Sequence, residues 1–194
     1  MEKDEYMKHW NYFCSLAKRL DETKNYVFHG LVENNSGELR LVHGDVYSDC
    51  FQQIIILAAS EFEVMSKELC KCFGRTTKNI VDISNVILSE YPKIVDTKVM
   101  TIFWESKPLE NWKVDSNGKV IGIDWWDSYN ALKHNEIGSY KMATLENAVS
   151  ALAALYIINL YALYKFSGNL FVAYEYPSVY FRSKYTAKDR KSVV

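Results

Sequence analysis

Asp127, Asn130 and His134 stand three and four residues apart in the stretch DSYNALKHNE, residues 127–136. If that stretch is helical, the three side chains share a face, each one turn from the next. A histidine so placed can act as a general acid or base, because imidazole titrates close to neutral pH. The same residues also fit a plainer role. Asp127 near the start of a short helix, and Lys133 with His134 at its end, would each oppose the helix dipole. Spacing alone admits both readings.

Glu61, in LAASEFEVMSK, is the second candidate. Ile54, Leu57, Ala58, Glu61, Met65 and Leu69 trace one helical stripe, which sets a carboxylate on a mainly apolar face. An acid there needs a partner, since burying an unpaired charge is costly or shifts its pKa. His134 or Lys133 is the expected partner, and a structural ion pair or hydrogen bond is the alternative to a supporting role in catalysis. Glu63 falls on the side of Gln52, Ala59 and Lys67, where a surface pair with Lys67 is expected.

The remaining polar residues carry less. His29 and His43 each precede a glycine in a hairpin-like region, and two histidines without a third ligand make a poor zinc site. Cys14, Cys50, Cys70 and Cys72 have no histidine at finger-like spacing, so idle thiols are expected, with no metal and no other cofactor. Arg182, Lys184, Lys188, Arg190 and Lys191, with Tyr180, Phe181 and Tyr185 among them, could meet RNA phosphates and bases or form a solvated tail. The chain has no glycine-rich phosphate loop, serine nucleophile elbow or paired metalloprotease histidines, which sets those enzyme classes aside.

Several elements must position these residues. Tyr6, Trp10, Phe13, Cys14, Ala17 and Leu20 recur at helical spacing and predict a first helix over 4–20. NYVFHGLV and GELRLVHG flank the turn-rich ENNSGE and suit a hairpin. Residues 48–74 predict a long helix, with Ser48 or Asp49 as N-cap and Gly74 as its stop. A third helix lies within 77–90 and cannot continue through Pro92. KVMTIFWE, 98–105, reads as extended or loop. Asn117-Gly118 between two β-prone runs is a strong hairpin signal. Residues 125–135 predict a short helix and 144–166 a long apolar one, with EIGSY a break between them. NLFVAYEYPSVYF reads as extended, and the basic tail 182–194 as flexible.

At 194 residues the chain fits one domain, 1–194. With 48% hydrophobic and 14% aromatic residues it should fold around an aromatic-rich core. A formal net charge of -1 gives no global pull toward nucleic acid or an acidic membrane, so any such binding must be local. The charged start MEKDEYMKHW has no basic-then-apolar leader, which points to the cytoplasm. The run 148–166 nearly reaches the ~20 apolar residues of a membrane span. It contains Ser150 and Asn159 and is rich in alanine and tyrosine, so a buried core helix and no membrane association are expected.

A polar YN and then KH at the head of a long Ala/Leu-rich helix, behind a Glu-bearing central helix, resembles the HEPN superfamily of small helical domains. The resemblance spans roughly Tyr6 to Phe166, with the hairpins as insertions, and rests on arrangement more than on a long exact motif. It implies a mainly α fold: an up-and-down bundle of four to five helices with one or two small β-hairpins, forming a homodimer. It also implies metal-independent cleavage of RNA, as in ribonucleases and toxin or defence-type effectors. The superfamily motif is an arginine, commonly followed by asparagine or another polar residue, with a histidine four to six positions after the arginine. His134 matches the histidine and Asn130 the polar residue. The arginine position falls on Tyr129, which carries no charge, and Lys133 is the nearest cation. In the implied reaction the histidine moves a proton as the RNA 2'-hydroxyl attacks the adjacent phosphate, while the arginine stabilises the phosphorane-like transition state. The departure at Tyr129 fits equally a non-catalytic module that binds nucleic acid, nucleotide or a protein partner.

Overall fold

A computed structural model describes residues 3–37, 39–101, 105–167 and 181–183. Five helices among the described residues form a mainly helical bundle with small antiparallel sheets attached. Helix α1 (Lys3–Glu22) buries Tyr6, Trp10, Phe13, Ala17 and Leu20 of the predicted stripe, with Leu16 buried beside them and Cys14 half-buried. Helix α2 (Asp49–Lys71) starts at Ser48, whose hydroxyl accepts from the Phe51 N–H at 3.2 Å. Its end is followed by Gly74 at a φ of 69°, the left-handed geometry that favours glycine. Helix α3 (Ile80–Glu90) is capped by the Asn79 side chain, and Pro92 opens a short 3-10 turn beyond it. Helix α4 (Asp124–Lys133) and helix α5 (Leu145–Ser167) complete the bundle.

The break expected at EIGSY is the segment between α4 and α5. It passes through left-handed Asn135 and Gly138 into a 3-10 turn at Ser139–Met142. Two hairpins stand where the turn signals put them. Strands β1 (Leu31–Glu33) and β2 (Leu39–Leu41) pair antiparallel, as do β5 (Lys113–Val114) and β6 (Val120–Ile121) across Asn117-Gly118. In the second turn the Asp115 carboxylate accepts from the Asn117 and Lys119 N–H groups, and Gly118 takes a φ of 76°.

A third sheet is an addition to that plan. Strand β3 (Val99–Thr101) lies between β4 (Glu105–Ser106) and β7 (Phe181–Ser183), antiparallel to both. Arg182, read from sequence as the start of a flexible tail, is instead the middle residue of β7, paired in register with Met100. Its neighbour Phe181 is buried against Phe13 and Tyr156 at ring separations of 6.0 and 6.1 Å, which ties this strand to the bundle. The extended reading of 169–180 lies outside the described residues, as do Lys184, Lys188 and Arg190.

The core is built on α5, whose most extensive contact is with α2 and which also packs on α1 and α4. Residues 145–166 are long and apolar enough to cross a membrane, yet 78% of the most apolar window is buried inside the protein. The apolar faces of α5 are therefore used by the protein's own helices. Helix α4 is anchored on α2 by aromatic rings. Phe62 meets Trp112, Trp125 and Trp126 at 5.8, 5.1 and 6.2 Å, and Trp126 meets Tyr129 at 4.9 Å. Each of two indoles finds an acceptor: Trp112 N–H donates to Ser84 Oγ at 2.8 Å, and Trp125 N–H to the Pro108 carbonyl at 3.1 Å.

Candidate functional site on helices α1, α2 and α4

Because α4 is pinned by Trp125 and Trp126, its next turn has a fixed rotation about the helix axis, and two neighbouring columns of side chains result. The first is Tyr129 and Lys133. Tyr129 is 2% exposed and turns toward α2, with its hydroxyl 3.4 Å from Ser60 Oγ. The Lys133 ammonium folds back one turn to donate to that hydroxyl at 3.1 Å, with the tyrosine ring centroid 5.2 Å away. The Tyr129 hydroxyl beside it pushes the Lys133 pKa above the ordinary lysine value, so the charge is retained.

The second column is Asn130 and His134. Asn130 is half-buried and His134 is exposed as the C-cap of α4, its N–H donating to the Asn130 carbonyl at 3.1 Å. Among the described residues no side chain makes a hydrogen bond or ion pair to the His134 imidazole. Asp127 is exposed in the first turn of α4 and Lys133 sits in the last, the positions that oppose the helix dipole.

Glu61 is placed differently from expectation. It is only 13% exposed in its side chain, as its place on the apolar stripe of α2 suggests, but its partner is neither His134 nor Lys133. Its Oε1 meets Nδ1 of His9, on α1. Both α1 and α4 pack on α2, but α4 meets it through Phe62 and Ser60, and it is α1 that sets an imidazole on Glu61. Glu63 pairs with Lys67 at 2.6 Å on the surface, as its helical position predicts.

His9 and Glu61 lie in an open groove of about 390 Å³ between α1 and α2, lined also by Lys8, Tyr12, Leu57, Ser60 and Val64. Burial raises the Tyr12 pKa, with the Glu61 carboxylate adding to the effect, so the phenol keeps its proton at neutral pH. Ser60 joins the groove to the α4 column through Tyr129. Neither His9 nor Ser60 stands out in the sequence. A signal for His9 does exist: it lies three residues after buried Tyr6 and four before buried Phe13, within the register of the apolar stripe.

The other histidines are separated by burial. His29 is 1% exposed and bonded to Thr23 Oγ1 at 2.9 Å, while His43 is exposed in a left-handed conformation. Burial, with the Lys24 charge nearby, lowers the His29 pKa to about 4, so this ring is neutral in the fold. Among the described residues no three His, Cys, Asp or Glu side chains converge as a metal site would require. Comparison with protein-family models, curated proteins and solved structures finds no match to this chain.

Proposed function

We propose that this protein is a HEPN-like helical module that binds RNA through the surface of α4 without cutting it. The observation that carries this reading is the condition of Tyr129. At the position where the superfamily motif has an arginine, this chain holds a buried phenol engaged by Ser60 and Lys133. Cleavage needs a positive charge on the phosphorane-like transition state and an imidazole held in one orientation. Tyr129 supplies no charge, and no described side chain orients His134.

Binding asks for less. Lys133 presents an ammonium, and Asn130 and His134 offer hydrogen-bonding groups one column away. Arg182, Lys184, Lys188 and Arg190 would add phosphate contacts. A homodimer, as the resemblance implies, would double this surface, and a cytoplasmic location belongs to the same reading.

A second reading, a metal-independent ribonuclease of toxin or defence type, is favoured by one contact. The Lys133 ammonium on the Tyr129 hydroxyl brings a cation beside the position of the missing arginine. One experiment separates the two. Fluorescent single-stranded RNA is titrated with purified protein in EDTA, reading anisotropy for binding and a denaturing gel for strand length. The binding reading expects a saturable anisotropy rise with intact RNA. Scission lost in His134→Ala transfers the conclusion to the ribonuclease, and RNA that is neither bound nor cut rejects both.

A further inference from the structure

The groove between α1 and α2 sets charges of both signs beside an apolar wall. Its volume of about 390 Å³ falls within the range of small-molecule sites, which share apolar walls with a few convergent polar groups. Leu57 and Val64 of α2 supply the wall, with Val64 43% exposed, and the Tyr12 ring of α1 is 36% exposed. Lys8 lines the same groove, is exposed, and has no anionic partner among the described residues. The α2 lysines Lys67 and Lys71, by contrast, are paired to Glu63 and Glu68. Lys8 is therefore a cation available to an anionic group. Glu61 commits Oε1 to Nδ1 of His9, which holds the carboxylate in place and leaves Oε2 without a partner among the described residues. Since that side chain is only 13% exposed, a cation reaching Oε2 meets less competition from water than it would on an open surface.

Ser60 adds a hydroxyl whose direction can be worked out. Behind it the Lys133 ammonium donates to the Tyr129 hydroxyl at 3.1 Å, and that hydroxyl lies 3.4 Å from Ser60 Oγ. A phenol whose oxygen accepts from an ammonium is the stronger donor of the pair, so its proton points to Ser60 Oγ and the serine proton is left for the groove. Ser60 and Lys8 thus call for anionic oxygen, Glu61 Oε2 calls for a cationic donor, and the wall calls for an apolar body. A phosphate dianion would meet Glu61 as a like charge. A simple amine leaves Lys8 unanswered, and a simple carboxylate leaves Glu61 unanswered. A peptide terminus carries one of the two charges and an internal peptide residue neither. A free α-amino acid carries both, a short distance apart, with a side chain beside them.

We infer that this groove binds a free apolar α-amino acid as its zwitterion. The ammonium donates to Glu61 Oε2, the carboxylate accepts from Lys8 and Ser60, and the side chain lies against Tyr12, Leu57 and Val64. The His9–Glu61 pair then has a recognition role in addition to joining two helices. This inference does not rest on RNA binding at α4, because no residue of α4 lines the groove.

The test is isothermal titration of the full chain with phenylalanine and leucine. Three probes run beside them: phenethylamine, which lacks the carboxylate, 3-phenylpropanoate, which lacks the ammonium, and glycine, which lacks the apolar side chain. One-to-one binding of phenylalanine or leucine is expected, at least about tenfold tighter than any of the three, since a charge-assisted hydrogen bond or a buried apolar side chain is each worth that factor or more. Lys8→Ala should weaken phenylalanine about tenfold and leave phenethylamine unchanged. Glu61→Gln should weaken phenylalanine by a similar factor and leave 3-phenylpropanoate unchanged, a selectivity that loss of a merely structural contact would not produce. Val64→Trp, which fills the groove from its exposed rim, should abolish binding. If Glu61→Gln fails to fold, Lys8→Ala and Val64→Trp still decide the matter. No amino-acid binding at millimolar concentration overturns the inference. So does phenethylamine or 3-phenylpropanoate bound as tightly as phenylalanine, or amino-acid binding that survives both Lys8→Ala and Val64→Trp.

Discussion

His29 links a single side chain to the stability of the whole fold. In the folded protein its pKa is lowered to about 4 by burial and by Lys24, while in the unfolded chain it returns to an ordinary value of ~6.5. Below the higher value the unfolded state takes up a proton that the folded state refuses. This contribution is therefore fully present above about pH 6.5 and is lost as pH falls toward 4, by an amount on the order of 1–3 kcal/mol. Urea unfolding at pH 7 and pH 5 measures it, and His29→Gln should flatten the difference. Thiol chemistry offers a second expectation. Burial pushes the Cys14 and Cys70 thiols up to about 11, and Cys70 is fully buried whereas Cys72, two residues on, is exposed. Iodoacetamide at pH 8 should label Cys72 well before Cys70, as read by peptide mass spectrometry; the opposite order would contradict the burial pattern.

At the scale of elements, the orientation of α4 depends on two local features. Gly122, just before the helix, has a φ of 84°, and a Cβ there would lie 1.9 Å from the Asn111 carbonyl oxygen. Gly122→Ala combines backbone strain with a clash and should cost about 2 kcal/mol or more. Phe62, the ring on which Trp112, Trp125 and Trp126 converge, should cost about 3–5 kcal/mol when cut back to alanine. Thermal or urea melts report both, and loss of less than about 1 kcal/mol in Phe62→Ala would argue against this anchoring. These helices were largely legible beforehand, since apolar spacing, the Ser48 cap and the Gly74 stop are all local. The β3–β7 pairing was not, because strands far apart in sequence meet through backbone hydrogen bonds that leave little trace in residue type. The Glu61 partner escaped for a related reason. The stripe of α2 foretold a half-buried acid needing a partner, but which helix would supply it depends on how α1 docks.

For the whole molecule, the architecture places one apolar helix at the centre and leaves the polar chemistry on the flanking helices. Because α5 is mostly buried, the protein should be recovered from lysate in aqueous buffer without detergent; recovery only from the membrane pellet would contradict the role of α5 as a core helix. Asn130, Lys133 and His134 of α4 and the α1–α2 groove lie at the edge of that core, joined through Ser60 and the buried Tyr129. This arrangement is suited to holding a ligand across helix surfaces that the core keeps fixed. The place of His134 at the end of a short helix was legible from the sequence, whereas the burial of Tyr129 depended on α4 being rotated by its tryptophans, which no single turn of sequence reveals. The central claim, RNA binding at α4 without cleavage, is met most directly by titrating labelled single-stranded RNA with parent and Lys133→Ala protein in EDTA. The account expects a saturable anisotropy signal, several-fold weaker in Lys133→Ala, with full-length RNA recovered on the gel. It is contradicted by unchanged affinity in that variant, or by RNA cut by the parent and spared by His134→Ala.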